Sequence, residues 1–177
     1  MKEGAEALRT AACEDAHELA DPSAGLTRAI NQLCVTAGVT GHAATHPPGN
    51  VCFRGGGFDD QHRDFYAAGK AFRQPAFLAT SFSEAVADTF IARVPAQYPK
   101  VKWMIRIDPV RKCVHVNLVK RTNVPGEEEY LFAPYSAFAV ISAKWGAGTD
   151  MDPHIIEISA APDNKAARED LDLAPWS

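Results

Sequence analysis

The chain has 177 residues, a length that suits one domain with a substantial core. Its hydrophobic fraction of 46% and charged fraction of 23% are those of a globular protein, which excludes a disordered tail. The net charge of −4 is mild. No block of Lys and Arg is interleaved with aromatic residues, so we expect no nucleic-acid partner.

Neither a membrane span nor a metal site is expected. No apolar run approaches the roughly 18 residues that a span needs, and the first residues lack the apolar core of a signal peptide, so we expect a soluble protein. The four cysteines are widely spaced and form no Cys-x-x-Cys pair. Cys52 and Cys113 lie in apolar strand patterns and are expected to be buried. The histidines lack metal-ligand spacing, and we interpret them as surface or loop residues.

The first half of the chain has mainly helical periodicity. Apolar residues at helical spacing predict helices over 5–20 and 26–37, so that residues 1–40 form a helical N-terminal part. A short buried strand is predicted over Val51–Arg54, and Gly56 and Gly57 beyond it either form only a flexible turn or contribute to the site. A third helix is predicted over Asp60–Phe72.

The second half is dominated by strands. Phe77–Ser81 is predicted to be a strand, and Ser83 is a favourable N-cap for a helix over Glu84–Ala92. Beyond it the apolar period changes to two, which is typical of antiparallel sheet. The further predicted strands are Trp103–Ile107, Cys113–Leu118, Glu129–Phe132, Ala137–Trp145 and His154–Ser159. Helices followed by strands indicate an α+β fold with a mainly antiparallel sheet, in a single domain over 1–177. The segment 162–177 would be either a docked or a disordered tail.

Three consecutive acids enter one of these strands from a turn. In an extended backbone Glu127 and Glu129 share one face, about 7 Å apart, while Glu128 points away. Two carboxylates at that separation repel each other, and each should perturb the ionisation of the other. The pattern suits either a catalytic pair or a solvated acidic turn before an edge strand.

Two other segments bear on that choice. In Asn50–Gly57 an apolar, strand-like run ends on Arg54 and is followed by three glycines, and Phe77–Ser81 is a strand that ends in hydroxyls. Together with Glu127-x-Glu129, in this order, they resemble the arginine-serine-glutamate class of mono-ADP-ribosyltransferases over roughly residues 50–145. The resemblance implies a split β-sheet core, NAD as the substrate, no metal, and transfer of ADP-ribose to a side chain of a target protein.

The resemblance also implies roles for particular residues. Glu129 would stabilise the positive charge that develops on the ribose when nicotinamide leaves, and Glu127 would hold and help deprotonate the acceptor. Arg54 would bind the NAD pyrophosphate or ribose, and the backbone at Gly55 would lie close to the nicotinamide amide.

The sequence departs from this class at one hydroxyl. Ala79 occupies the position of the serine that usually orders the catalytic glutamate. Either Thr80 or Ser81 supplies a hydroxyl from a shifted position, or the pocket lacks it. The resemblance leaves the acceptor open. The loop before the three acids, residues 119–125, would contact the acceptor but lacks the aromatic residue often found there. An arginine acceptor is therefore favoured by Glu127 alone, and threonine or another side chain remains open.

We consider three functions. The leading one is an NAD-dependent mono-ADP-ribosyltransferase, a secreted bacterial effector or toxin domain that modifies a host protein in the host cytoplasm. The second is an NAD glycohydrolase, in which water replaces the acceptor. The third is a non-catalytic module that binds NAD or a partner, which Ala79 favours and the intact Glu127-x-Glu129 opposes.

Overall fold

A computed structural model describes residues 47–110, 116–117, 126–162 and 170–175. The strands in this part are β1 (Val51–Gly57), β2 (Ala71–Arg73), β3 (Leu78–Ser81), β4 (Lys100–Arg106), β5 (Val116–Asn117), β6 (Glu129–Phe132), β7 (Ala137–Lys144) and β8 (His154–Ala160). The helical segments in this part are the α-helix α1 (Glu84–Ala92) and the 3₁₀-helices Pro48–Asn50 and Asp60–Tyr66.

The eight strands form a single mixed sheet in the order β2-β7-β8-β4-β1-β3-β6-β5. Neighbouring strands are antiparallel except β4 and β8, which run parallel. The expected α+β class with a mainly antiparallel sheet is therefore confirmed for the described residues. Strand β1 pairs with β4 along its whole length but meets β3 only where Phe53 faces Ser81. The sheet consequently divides beside β1 into five strands on one side and three on the other.

The core is aromatic and aliphatic, and it joins both parts of the divided sheet. Val101 and Ile105 of β4 are fully buried. Phe132 of β6 packs edge-on against Phe138 of β7, with ring centroids 5.3 Å apart, and Phe138 stacks on Phe72 of β2 at 5.8 Å. These contacts hold the two parts together where the backbone ladder does not, since buried aromatic pairs contribute both apolar area and ring–ring attraction.

The helix predicted over Asp60–Phe72 is wrong. A 3₁₀-helix covers only Asp60–Tyr66, and the chain then turns at Gly69, whose φ is +85°. That backbone conformation cannot continue a right-handed helix. Phe72 belongs instead to β2, where it faces Phe138 across the ladder and is buried.

The glycines after Arg54 do not form a flexible turn. Gly55, Gly56 and Gly57 continue β1 and pair with Lys102, Val101 and Lys100 of β4. The predicted end of the strand at Arg54 is therefore wrong. Tertiary pairing with a long neighbouring strand outweighs the low strand propensity of glycine here.

Helix α1 has the predicted bounds, Glu84–Ala92, and it begins directly after the predicted N-cap residue. Ser83 occupies the N-cap position, and its side chain makes no capping hydrogen bond. The hydroxyl at this helix start belongs to Ser81, whose Oγ accepts the Ser83 N–H at 3.0 Å.

His154 is completely buried, so the expectation of surface or loop histidines is wrong for this residue. Its Nε2 lies 3.1 Å from Asp60 Oδ1 and 3.2 Å from Arg63 Nη2. The ring packs edge-on against Phe58 and Trp145. Strand β8 alternates buried and partly exposed residues, and that alternation places His154 on the core side.

The described part of the C-terminal segment is docked. The Arg73 N–H donates to the Asp172 carbonyl, and the Ala174 N–H donates to the Arg73 carbonyl, both at 2.8 Å. Lys70 forms an ion pair with Asp172 at 2.9 Å. Ala174 is buried as a result.

Several predictions fall on residues outside the described ranges. They are the helices over 5–20 and 26–37, the burial of Cys113, the acceptor loop 119–125, and the strand Cys113–Leu118 except for Val116–Asn117. Cys52 is buried, as predicted. Of the helices that the structure describes, none is long and apolar enough to cross a membrane. The described residues also contain no cluster of three or more His, Cys, Asp or Glu that would hold a metal ion.

Candidate active site

A cavity of about 180 Å³ opens where the sheet divides beside β1. Strands β1 and β3, helix α1 and the acid turn before β6 form its walls. The lining residues are Phe53, Arg54, Gly55, Ala79, Thr80, Ser81, Val86, Ala87, Phe90, Glu127 and Glu129. All the candidate site residues of the sequence therefore line one cavity.

A larger hollow of about 470 Å³ lies elsewhere on the sheet, between the end of β4 and the start of β7. Its lining is mainly apolar, and none of the candidate residues contributes to it. Size alone does not define a site. The smaller cavity has the convergent charged groups that chemistry requires.

Arg54 is a partly buried cation at the division of the sheet. Its Nη1 donates to the Ala79 carbonyl at 2.8 Å, which bridges β1 and β3 where their ladder is open. Burial lowers the pKa of the Arg54 guanidinium. No carboxylate among the described residues forms an ion pair with it. A desolvated guanidinium without a counter-ion is unfavourable in isolation, and it is a strong site for a bound anion.

Glu129 is the first residue of β6 and pairs with Ser81 of β3. Burial, and then the negative charge of Glu127, raises the pKa of Glu129 above its ordinary value. The predicted perturbation between the two acids is confirmed on Glu129. Desolvation and a neighbouring like charge both disfavour the ionised form, and such perturbed carboxyls cluster at functional sites.

The extended backbone predicted through all three acids is wrong at Glu128. This residue has φ of +44°, in the left-handed region, and Gly126 has φ of +90°. The chain therefore turns immediately before β6. Glu127 and Glu129 still line the same cavity, while Glu128 is exposed, so the predicted sharing of one side is confirmed with a different backbone.

The hydroxyls of Thr80 and Ser81 are both donated to main-chain carbonyls. Thr80 Oγ1 donates to the Tyr130 carbonyl at 2.7 Å, and Ser81 Oγ donates to the Glu127 carbonyl at 2.6 Å. Each hydroxyl has one proton to donate. These two residues therefore fasten the acid turn and β6 to β3.

Gly55 is the point at which α1 passes closest to the sheet. A Cβ added there would lie 2.0 Å from the Ala87 carbonyl oxygen and 2.8 Å from Ile91 Cγ1. Lys102, which faces Gly55 on β4, forms ion pairs with Glu84 at 2.9 Å and Asp88 at 2.6 Å and so holds the helix in place. Close helix packing is thus a reason for glycine at this position that the sequence did not reveal.

Phe90 and Arg93 are candidate functional residues that the sequence reasoning missed. Phe90 lines the cavity from α1 and is 40% exposed, which is unusual for a large aromatic side chain. The Arg93 guanidinium lies over its ring, 5.2 Å from the centroid. The signal in the sequence was an aromatic and an arginine three residues apart on the helix that follows the hydroxyl strand.

Comparison with known proteins gives structural matches only. No protein-family model and no curated protein sequence matches this chain. One match is the structure of the ADP-ribosyltransferase Vis in complex with agmatine, whose sequence is 16% identical to this chain. The match covers 95% of this chain and 71% of the Vis chain, with a TM-score of 0.64. A further structure of Vis toxin, an ADP-ribosyltransferase from Vibrio splendidus, is 16% identical to this chain. Its match covers 95% of this chain and 70% of the Vis chain, with a TM-score of 0.62.

A second bacterial enzyme has the same fold. Exoenzyme S from Pseudomonas aeruginosa, in complex with human 14-3-3 protein beta and bound to Carba-NAD, is 13% identical, with a TM-score of 0.53 over 96% of this chain and 72% of its own. At these identities the likeness establishes the fold. The chain has the fold of the bacterial mono-ADP-ribosyltransferase toxins and effectors.

Proposed function

We propose that this chain is an NAD-dependent mono-ADP-ribosyltransferase that modifies a side chain of a target protein. The observation that carries the proposal is the convergence of Arg54, a cation without a described counter-ion, and Glu129, a carboxyl with a raised pKa, on one cavity. A dinucleotide substrate supplies both an anionic pyrophosphate for the guanidinium and a ribose for the carboxylate. The shared fold with the toxins supports the same conclusion.

Arg54 binds the pyrophosphate of NAD in this proposal. Its planar guanidinium offers five N–H donors, of which one is used on the Ala79 carbonyl. The remaining donors suit the paired oxygens of a phosphate better than a lysine ammonium would. The arginine is held by a main-chain oxygen, so it is already oriented before the substrate arrives. The backbone of Gly55, next to it, remains the candidate contact for the nicotinamide amide.

Glu129 acts on the ribose. As the bond between the nicotinamide ring nitrogen and ribose C1′ breaks, its electron pair leaves with nicotinamide, and positive charge develops on C1′ and the ring oxygen. A carboxylate fixed near that ribose stabilises the charge more in the transition state than in the ground state. Because the pKa of Glu129 is raised, activity should fall on acidification at a higher pH than an ordinary glutamate would give.

Phe90 and Arg93 would complete the binding of NAD at the rim. An exposed aromatic ring on the wall of a dinucleotide cavity is suited to stack on a planar base or on the nicotinamide ring. Arg93 already lies against that ring and would add a second positive charge near the pyrophosphate.

Glu127 accepts a proton from the acceptor in this proposal. A guanidinium nitrogen forms the new bond to C1′, and the proton that it loses passes to the Glu127 carboxylate and then to solvent, so the products are nicotinamide, the ADP-ribosylated acceptor and a proton. Agmatine, the compound bound to Vis, carries a guanidinium like that of arginine. An arginine acceptor is therefore favoured, with threonine or another side chain as the alternative.

The remaining expectations follow from the same proposal. The chain acts as a single domain of a secreted effector or toxin and modifies a host protein in the host cytoplasm. Exoenzyme S, which was crystallised with a human 14-3-3 protein, supports a protein partner. A non-catalytic NAD-binding module is the second candidate, because Ala79 lacks the usual hydroxyl and neither neighbouring hydroxyl is donated to a carboxylate.

The three consecutive glutamates provide the test and its own control. Glu127→Gln, Glu128→Gln and Glu129→Gln are compared with the natural chain, using labelled NAD with agmatine and with a cell lysate. We expect Glu129→Gln to abolish nicotinamide release and Glu127→Gln to reduce labelling far more than nicotinamide release. Glu128→Gln should behave like the natural chain, because Glu128 is exposed and does not line the cavity.

The outcomes separate the three functions. Nicotinamide release without any labelled acceptor would indicate the glycohydrolase. No consumption of NAD by the natural chain would contradict an enzyme and leave the binding module.

A further inference from the structure

Ser81 is placed to act on the acceptor glutamate through the backbone. It ends β3, is 4% exposed, and faces Glu129 across the ladder. Its hydroxyl nevertheless reaches the residue on the other side of the turn, since Oγ donates to the Glu127 carbonyl at 2.6 Å. The same oxygen accepts the Ser83 N–H at 3.0 Å. One side chain thus connects the acid turn to the start of α1.

The two cavity glutamates are held in different ways. Glu129 belongs to β6, whose register with β3 is fixed by four paired residues and by the bond from Thr80 to the Tyr130 carbonyl. Glu127 lies outside the ladder. Among the described residues its backbone has one hydrogen bond, the one that its carbonyl accepts from Ser81. Loss of the Ser81 hydroxyl would therefore remove the restraint on Glu127 and leave those on Glu129 in place.

The turn between them needs such a restraint. Glu128 is held at φ of +44°, a conformation that is unfavourable for a residue with a Cβ. The Phe82 N–H donates to the Glu128 carbonyl at 3.0 Å, directly beside the bond from Ser81. Two consecutive carbonyls of the turn are thus bound by two consecutive residues at the end of β3. The Ser81 bond is the one that a side-chain substitution can remove.

We propose that Ser81 is a positioning residue that commits the enzyme to transfer over hydrolysis. This inference rests on the proposed function. By fixing the Glu127 backbone, Ser81 holds the Glu127 carboxylate where the acceptor nitrogen must lose its proton as its bond to ribose C1′ forms. When the turn is loose, water still attacks the ribose cation beside Glu129 and gives free ADP-ribose, a proton and nicotinamide. Ala79 cannot share this role, because it has no hydroxyl.

The test is a ratio measured on the full chain, with agmatine as the acceptor. ADP-ribosyl-agmatine formed per nicotinamide released is compared for the natural chain, Ser81→Ala, Ser81→Thr and Ser83→Ala. We expect Ser81→Ala to lower the ratio about tenfold, as the loss of one well-formed hydrogen bond would. Ser81→Thr keeps a hydroxyl and should preserve the ratio. Ser83→Ala is the matched control, because the Ser83 side chain makes no capping bond.

The other possible results contradict either the role of Ser81 or the proposed function. An unchanged ratio in folded Ser81→Ala, or equal losses of transfer and nicotinamide release, would overturn the role of Ser81 and leave NAD cleavage standing. A natural chain that releases no nicotinamide would overturn the proposed function and this inference with it. If Ser81→Ala does not fold, Ser81→Cys, with a weaker donor, must give an intermediate ratio; a ratio equal to that of the natural chain would contradict the inference.

Discussion

The two edges of β1 are built differently. On one edge the ladder with β4 contains seven paired residues, from Val51 with Arg106 to Gly57 with Lys100. On the other edge the ladder with β3 contains a single pair, Phe53 with Ser81. The fully paired edge serves stability. The open edge leaves strand backbone and the Arg54 side chain available to form a cavity.

This difference shows how the fold makes room for a site without losing cohesion. Where the ladder is absent, Arg54 bridges to the Ala79 carbonyl, and the aromatic contact between Phe132 and Phe138 joins the two parts of the sheet. Candidate functional groups lie along the open edge. The substitutions below test whether each residue serves the open edge, the closed edge or both.

Arg54→Lys should have the largest effect, because Arg54 has roles in both substrate binding and the bridge to β3. Loss of a forked, charge-assisted contact to phosphate should weaken NAD binding by about a hundredfold. Calorimetric titration with NAD measures the affinity. The change in melting temperature measures how much the bridge from Arg54 to the Ala79 carbonyl contributes to stability. An unchanged affinity would mean that the pyrophosphate binds elsewhere.

Gly55→Ala tests the packing of α1 on β1. The added Cβ would meet the Ala87 carbonyl oxygen at 2.0 Å, a backbone atom that cannot move without displacing the helix. We expect a loss of about 2 kcal/mol or more in the free energy of unfolding. Gly56→Ala is the matched control, since nothing lies within 4 Å of its added Cβ. Equal denaturation midpoints for the two variants would contradict the close approach.

Phe90→Ala tests the rim of the open edge. Removing an exposed stacking surface should raise the KM for NAD about fivefold and leave kcat nearly unchanged, because the ring would bind the substrate and the transition state alike. Steady-state nicotinamide release gives both constants. A fall in kcat with constant KM would instead place Phe90 at the reacting bond.

The smallest expected effect is the pH dependence of the stability of Glu129→Gln. Since the pKa of Glu129 is raised in the folded protein, its ionised form opposes folding. The penalty grows as pH rises from the unfolded pKa, near 4.5, to the folded pKa, and it is constant above. Glu129→Gln should therefore melt at a higher temperature than the natural chain at neutral pH. The difference should vanish below about pH 4.

A melting temperature for Glu129→Gln that is lower at neutral pH would contradict the raised pKa. A difference in melting temperature that is the same at every pH would also contradict the raised pKa, because it would indicate a contact that does not depend on ionisation.

The sequence predicted the site better than the backbone around it. Arg54, Ser81 and Glu129 lie in the neighbouring strands β1, β3 and β6, and the order of their motifs along the chain led, through the family resemblance, to the expectation of one cleft. The helix over Asp60–Phe72 failed because its apolar spacing fits two structures, and only the positive φ at Gly69 separates them. Such a choice depends on pairing between β2 and β7, which local periodicity does not contain.

Other features could not be predicted because they depend on distant partners. Ser83 is the N-cap residue, yet its side chain makes no capping bond, and its N–H donates to the Ser81 hydroxyl at the end of β3. The glycines of β1 resembled a turn, and their pairing with β4 makes them a strand. The burial of His154 follows from its place in β8 and from its contacts with Phe58 and Trp145.

The central claim is that Arg54 and Glu129 bind adjacent parts of one NAD molecule, its pyrophosphate and its nicotinamide ribose, in the cavity beside β1. A crystal structure with an uncleavable carbocyclic NAD analogue tests it directly. We predict the pyrophosphate oxygens within hydrogen-bond distance of the Arg54 guanidinium, and the ribose that bears nicotinamide within the same distance of the Glu129 carboxylate. An analogue bound elsewhere, or bound with either residue out of reach, would contradict the account.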